Sequence, residues 1–228
     1  MKMKVFLVAI AFVLALITVG PTLAGAATDK EISEAKELLR QVEKSSFDVE
    51  LEETRGMLDK IERMQYGEDK TWKSLIMKAF KRSWRLYKKR PSVPETSFLV
   101  ARSFFYNGRP DKAKRALRKT FYYNSKYVGA HILIADIKLA GSKNDIDDDD
   151  DGIDFLQIEQ SRKTYEKVLL LKDVDDEDRS KVFMKIGDIY ADMGIDKKKS
   201  QDYWQRSYDA APESFWGKRS KKRMTEID

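Results

Sequence analysis

The feature that most restricts the fold of this chain is a spacing that recurs along its C-terminal part. Repeats that begin at residues 94 and 128 lie 34 residues apart (128 − 94) and carry Ala101 and Ala135 at matching places. A third repeat, from residue 180, has Gly187 at that place. Apolar residues recur around these small side chains in steps of three and four, which predicts paired amphipathic helices. Repeated helical hairpins cannot bury their apolar faces alone, so we expect them to stack.

The third repeat carries the fullest motif. Its first half reads Phe183-x2-Ile186-Gly187-x2-Tyr190, and its second half has Ser200-x3-Trp204 followed by Pro212. This pattern resembles the tetratricopeptide repeat (TPR) family, a 34-residue helix-turn-helix with W-x2-L-G-x2-Y, A-x3-F and P. The resemblance covers roughly residues 94–213. It implies an all-α fold of TPR-like antiparallel hairpins stacked into a short right-handed solenoid.

The rest of the chain departs from this regular pattern. Before the repeats we expect a divergent hairpin and cap: a helix interrupted at Ser45-Ser46, a second helix at about 49–64 and a third over 72–87. The middle repeat is broken by an acidic insertion at 141–159. The predicted organisation is a signal peptide at 1–27, N-terminal helices at 28–92 and a TPR-like repeat domain at 93–228.

The first 27 residues have the composition of an export signal. Lys2 and Lys4 precede an apolar run from Val5 to Val19, and small residues follow up to Ala27. The run is shorter than the roughly 20 residues that a membrane-spanning helix needs, which favours cleavage over anchoring. The chain has no cysteine, so lipid cannot be attached to one. We therefore expect a periplasmic or secreted protein with no stable membrane anchor once the signal is removed.

Charge gives a weaker constraint on partners. Without the two signal lysines, 42 basic residues (44 − 2) face 38 acidic ones, a formal charge of +4. This mild excess does not indicate a nucleic-acid partner.

The TPR resemblance also implies where a partner would bind. In that family the first helices of successive hairpins line a concave groove, and a mixture of apolar anchors and charges there suits a peptide or a partner helix. Carried onto this sequence, the groove comprises Phe98, Arg102, Phe105, Tyr106, Ile132, Asp136, Leu139, Lys181, Met184, Asp188 and Asp192. The alternative is that Phe105 and Tyr106 pack against the N-terminal helices while the charges are solvated.

The acidic insertion offers a second possible site. Asp147, Asp149 and Asp151, followed by Gly152, match the first half of an EF-hand-like calcium loop. The second half does not match, because Ile158 stands where the bidentate glutamate belongs. Weak calcium binding and a simply solvated acidic loop both remain open. The alternative function is therefore a calcium-binding module, or one that binds anionic envelope polymers through its basic faces.

Catalysis finds no support in the residue pattern. His131 is the single histidine and occupies a packing position, so no histidine-based triad is expected. No spaced pair of carboxylates indicates acid-base chemistry. We expect a non-enzymatic scaffold without a resident cofactor, which binds a protein or peptide. The identity of that partner and the oligomeric state are left open.

Overall fold

A computed structural model describes residues 29–65, 72–142, 154–192, 194 and 196–227. Within these ranges every regular element is a helix, which confirms the predicted all-α class. The helices are α1 (Asp29–Gln65), α2 (Trp72–Lys89), α3 (Pro94–Tyr106), α4 (Pro110–Tyr123), α5 (Val128–Gly141), α6 (Phe155–Val168), α7 (Asp176–Asp192), α8 (Lys197–Ala210) and α9 (Phe215–Ile227). None of them is long and apolar enough to cross a bilayer.

The chain divides into two compact units between Glu53 and Thr54. In the first unit the described residues form the N-terminal part of α1, which buries Phe47 and exposes Leu38 and Val49. The second unit contains the end of α1 and all the other helices.

Helix α1 corrects one expectation. It runs from Asp29 to Gln65, so the predicted interruption at Ser45-Ser46 is wrong. Serine is only mildly unfavourable inside a helix, and neither proline nor glycine occurs near this pair to stop the helix. Good helix formers on both sides therefore carry α1 through it.

The predicted starts of the first two repeats are confirmed, because α3 begins at Pro94 and α5 at Val128. Proline fits the first helical turn of α3 and of α4, where its missing N–H would have no intrahelical acceptor. The Asp154 and Asp196 side chains cap α6 and α8 by accepting backbone N–H groups at 3.0 Å. The third repeat starts earlier than predicted, with α7 beginning at Asp176.

Small residues let the helices of a hairpin approach closely, as predicted. Ala101 and Ala135 are fully buried. A Cβ atom at Gly187 would lie 2.6 Å from Cδ1 of Trp204 and 3.2 Å from the Ser200 carbonyl oxygen. Helices α7 and α8 therefore meet at a point where a larger side chain would not fit.

The core consists of clusters that each join one hairpin to the next helix. One cluster combines Ala113 and Leu117 of α4 with Leu133 of α5. A second joins α5, α6 and α7, with Tyr165 fully buried among branched side chains. A third places Trp216 of α9 against α7 and α8. Each hairpin therefore covers the exposed flank of its neighbour, which explains why one hairpin alone would be unstable.

Buried hydroxyl groups add hydrogen bonds between packed helices. Ser97 and Thr120 join α3 to α4 at 2.9 Å, and Ser180 and Ser207 join α7 to α8 at 3.1 Å. In the middle hairpin, the Ser161 hydroxyl donates to the Ala135 carbonyl oxygen at 2.8 Å. These small polar side chains allow a short distance between helices while satisfying their own hydrogen bonds.

Candidate functional site

The candidate site is a concave cavity of about 490 Å³ in the second compact unit. Helices α3, α5 and α7 are the first helices of successive hairpins, and each contributes side chains to this cavity. The C-terminal part of α1, the segments before α5 and α7, and Trp216 of α9 also line it. Because the hairpins stack in the same orientation, these side chains reach one space from distant parts of the sequence.

Six of the eleven predicted groove residues line this cavity. They come from all three first helices and are Phe98, Arg102, Tyr106, Ile132, Asp136 and Lys181. Phe98, Arg102 and Tyr106 follow one another at steps of four along α3, which places them on one helical face. Most of their surface is nevertheless buried, because other helices cover them.

Helix α1 is one of the helices that cover these α3 residues. Arg55, Asp59 and Glu62 lie at steps of four and three, so they share the face of α1 that is directed at the cavity. Arg55 pairs with Glu95 of α3 at 3.0 Å. Glu62 reaches across to Lys181 of α7 at 2.6 Å. Ion pairs therefore join α1 to both α3 and α7 around the cavity.

Glu62 is the central charge of this arrangement. Besides Lys181, it accepts a hydrogen bond from Nη2 of Arg102 at 3.2 Å. Burial alone would raise the pKa of Glu62, but Lys181, Arg102 and Lys185 outweigh burial and lower this pKa to about 2. Glu62 is therefore ionised at any pH near neutrality, and its charge neutralises two cations of the wall.

Arg102 is held from several directions. Its Nη1 atom donates to Asp59 at 2.7 Å, and its guanidinium lies 5.7 Å from the ring centre of Phe98 and 5.6 Å from that of Tyr106. Burial raises the pKa of Tyr106 well above its usual value, although Arg102 opposes the shift. Tyr106 therefore remains a neutral phenol on the cavity wall.

A second buried ion pair includes Asp136 of the cavity wall and Lys185 of α7. Asp136 accepts hydrogen bonds from Lys185 Nζ at 2.9 Å and from the Tyr165 hydroxyl at 2.5 Å. Trp216 lies nearby, with Lys181 Nζ 5.3 Å and Lys185 Nζ 5.9 Å from its ring centre. These contacts fix the position of the α5 and α7 side chains.

The mouth of the cavity is acidic. Eight acidic and five basic side chains line the wall among the described residues, and four of the bases are already paired with acids of the same wall. The excess negative charge lies at Asp173, Asp175 and Asp178, around the start of α7. Burial, followed by the charge of Asp175, raises the pKa of Asp178 to about 6, while Lys181 opposes the shift.

The other five predicted groove residues do not line the cavity. Phe105 and Leu139 are partly buried and pack against core clusters. The expectation that Met184 lies on an open surface is wrong, because it is fully buried with Trp204 and Trp216. The remaining two are paired with Arg223 of α9, at 3.2 Å for Asp188 and 3.5 Å for Asp192.

Two further sequence predictions concern other parts of the chain. Asp147, Asp149 and Asp151, the possible calcium ligands, lie outside the described residues, as do most of the acidic insertion and the signal segment. Their binding of calcium stays a prediction. His131 is half-buried as expected, with Nε2 2.8 Å from the Ser125 carbonyl oxygen. Within the described ranges, no three His, Cys, Asp or Glu residues are grouped as metal ligands would be.

Sequence reasoning missed the wall that α1 contributes. Arg55, Asp59 and Glu62 form a charged stripe beside the fully buried Leu58 and Ile61. Charges at helical spacing next to buried positions are a usable signal for a partly covered face. The contacts across to α3 and α7 have no such signal, since they join residues far apart in the sequence.

No protein-family model and no curated protein matches this chain. Among solved structures, the chain is similar to a crystal structure of MamA, with 15% identity over 68% of this chain and 80% of that chain and a TM-score of 0.45. A second crystal structure of MamA protein gives 14% identity, 76% and 81% coverage and a TM-score of 0.44. The hairpin assignment rests on the contacts within this chain.

Proposed function

We propose that this chain is a non-enzymatic scaffold that binds a protein or peptide partner in the cavity between α1, α3, α5 and α7. The observation that carries the proposal is the mixed lining of an open cavity of about 490 Å³. Half-buried apolar side chains such as Tyr127 and Val128 can hold an anchor, and fixed charges around them can set the register of a bound segment.

The charges of the wall favour one kind of segment. Most wall cations are neutralised by α1 and by neighbouring acids, whereas Asp173, Asp175 and Asp178 leave the mouth negative. A segment that carries lysine or arginine next to an aromatic or aliphatic residue would complement both features. A cation close to Asp178 would also favour its ionised form, so binding would release a proton near pH 6.

A displayed library of short random peptides, selected on the purified protein, tests this proposal. We expect enrichment of peptides that combine basic residues with an aromatic or aliphatic residue. The double variant Asp175→Asn, Asp178→Asn should weaken the selected peptides about tenfold, because it removes two charges from the mouth. Asparagine at 175 can still accept the Asp178 backbone N–H, so α7 keeps its start.

The matched control is Asp202→Asn, Asp209→Asn on α8. Both aspartates are exposed and lie away from the cavity wall, and the charge change is the same. Equal loss of affinity in both double variants would mean that only net charge matters. Selection of acidic peptides, or of none, would contradict a cationic segment as the partner.

We also propose that the scaffold acts outside the cytoplasm, on the basis of the signal-like residues 1–27. Cell fractionation of the full chain and of a variant with Leu7→Arg and Leu14→Arg tests this location. Two charges in the apolar run should keep the protein in the cytoplasm, with an uncleaved N-terminus in mass spectrometry. Identical fractionation of the two proteins would contradict export by this segment.

A further inference from the structure

The outward face of α2 carries an unusual concentration of positive charge. The helix contains seven lysines and arginines among its 18 residues and no acidic residue. Its apolar side is fixed in the core, where Ile76, Ala79 and Leu86 are buried. The opposite side therefore faces solvent and presents its cations together.

Aromatic side chains border these cations. An open groove of about 530 Å³ runs along α2, lined by Phe80, Lys81, Trp84, Arg85, Lys88 and Lys89. The Trp84 ring is half-buried and packs edge-on against Phe104 of α3, with ring centres 6.2 Å apart. Met77, one turn before Lys81, is 51% exposed.

Helix α4 extends this surface. Phe104 lies 5.1 Å from Phe80 between ring centres, and Lys112 Nζ of α4 lies 6.0 Å from the Phe104 ring centre. Lys112 therefore adjoins the α2 groove. Asp111 beside it is engaged with Lys114 at 3.6 Å. We call Lys81, Arg85, Lys88, Lys89 and Lys112, with the rings of Phe80 and Trp84, the basic aromatic patch.

We propose that the basic aromatic patch docks on the surface of an anionic lipid bilayer. Each lysine or arginine that approaches such a surface gains about 1 kcal/mol from the negative headgroups. Several cations on one helical face can approach a planar surface together, because α2 is held rigidly against α3. The patch lies outside the cavity proposed for the partner, so the two binding events are independent.

The aromatic border favours a bilayer over a soluble anionic polymer. Tryptophan and other amphipathic side chains are enriched at the level of lipid headgroups, where an apolar body and a polar edge are both accommodated. Trp84 and Met77 could enter this layer while Lys81 and Lys88 contact phosphates. A soluble polyanion would use the same cations but would gain little from the exposed methionine.

Vesicle cosedimentation tests the proposal. Wild type and all variants are expressed from the whole gene and purified in the same way, so that they share the same N-terminus. The probes are vesicles of phosphatidylcholine alone and of phosphatidylcholine mixed with phosphatidylglycerol. We expect stronger binding to the mixed vesicles, and a decrease as salt is raised because salt screens exposed charges. Equal binding to both kinds of vesicle would overturn the proposal.

The triple variant Lys81→Gln, Lys88→Gln, Lys112→Gln assigns the binding to the patch. About 1 kcal/mol per lysine corresponds to roughly a fivefold change each, so the triple variant should partition about a hundredfold more weakly. The control Lys167→Gln, Lys172→Gln, Lys198→Gln removes the same charge from exposed positions on other parts of the chain. Equal weakening by the two triple variants would overturn the patch as the site.

Two measurements separate the bilayer from other anions. In a Trp72→Phe background, brominated lipids should quench tryptophan fluorescence, and adding Trp84→Phe should abolish most of that quenching, since Trp204 and Trp216 are buried. Competition by soluble polyphosphate should require a large excess. Quenching that persists without Trp84, or polyphosphate that binds as tightly as the vesicles, would overturn bilayer docking.

Discussion

The carboxylate of Glu62 on α1 lies 2.6 Å from Nζ of Lys181 on α7; the Glu62 side chain is buried, and that of Lys181 is 14% exposed. This ion pair fastens the end of α1 to the third hairpin, across the cavity that we propose as the partner site. The same carboxylate binds Arg102 of α3, so one residue connects three helices.

Replacing Glu62 by glutamine should destabilise the protein by about 3 kcal/mol, because the buried Arg102 and the half-buried Lys181 both lose a charged partner. The pKa of Glu62 is lowered in the folded state, so its stabilisation is complete above the unfolded-state value near 4.5. It is lost as the pH falls from there toward about 2. Urea unfolding of both proteins at pH 7 and pH 3 should therefore show a smaller difference at pH 3.

The control for this comparison is Asp202→Asn, which removes one exposed partner of Arg206. An exposed pair of this kind contributes less than about 1 kcal/mol. A Glu62→Gln protein that is as stable as this control would show that the buried pair contributes little.

Asp178→Asn should have the opposite effect at neutral pH. Burial and Asp175 raise the folded-state pKa of Asp178 to about 6, with Glu62 and Glu177 adding to the shift and Lys181 opposing it. Ionisation of Asp178 therefore destabilises the folded state progressively as the pH rises from about 4 to about 6. The variant avoids this loss and should be about 1 kcal/mol more stable at pH 7.5, a figure reduced for the partial exposure of Asp178.

Thermal unfolding of wild type and Asp178→Asn across pH 4 to pH 8 measures this effect. The two melting temperatures should coincide near pH 4, separate as the pH rises to about 6 and stay apart above it, with the variant higher. Parallel curves over the whole range would contradict a raised pKa at this residue.

Two glycine-to-alanine substitutions should act in opposite directions. At Gly187 the new methyl group would meet Trp204 and the Ser200 carbonyl oxygen, so Gly187→Ala should destabilise the protein by about 1 to 3 kcal/mol. At Gly56, inside α1, nothing lies within 4 Å of the position that a Cβ atom would take, and Gly56→Ala should stabilise by up to about 1 kcal/mol. Chemical denaturation of the pair checks both signs, and destabilisation of equal size at both sites would contradict the close approach of α7 and α8.

Tyr165→Phe should destabilise the second hairpin by about 1 to 2 kcal/mol, because Asp136 loses a buried hydrogen bond from the tyrosine hydroxyl. Tyr122→Phe, at a ring that is 79% exposed, should change the free energy of unfolding by less than about 0.5 kcal/mol. Differential scanning calorimetry of both variants makes the comparison. Equal melting temperatures for the two variants would contradict a stabilising hydrogen bond from the Tyr165 hydroxyl to Asp136.

The hairpins were predictable because their signals are local. Helical periodicity and the small residues at Ala101, Ala135 and Gly187 lie within single helices or neighbouring ones, and both features are confirmed in the structure. Serine is a weak breaker, so the pair at 45–46 could not be distinguished from a true interruption by composition. The right-handed solenoid expected from the TPR resemblance stays a prediction.

The cavity was predictable only on one side. Phe98, Arg102 and Tyr106 follow from their spacing along α3, since one helical face is readable from sequence. The covering by α1 depends on ion pairs such as Arg102 with Glu62, between residues with no local relationship. Met184 was misplaced because Trp216, from a helix beyond the last hairpin, packs onto it.

The hydroxyl pairs between paired helices have a mechanical consequence. If α3 slid along α4 by one turn, the buried Thr120 hydroxyl would lose its bond to Ser97, at a penalty of about 1 to 3 kcal/mol. Ser97 itself would keep its bond to the Pro94 carbonyl oxygen within α3. Ser180 and Ser207 impose the same restriction on α7 and α8. Each hairpin should therefore resist shear as a stiff element, so that elastic deformation under load concentrates at the joints between successive hairpins.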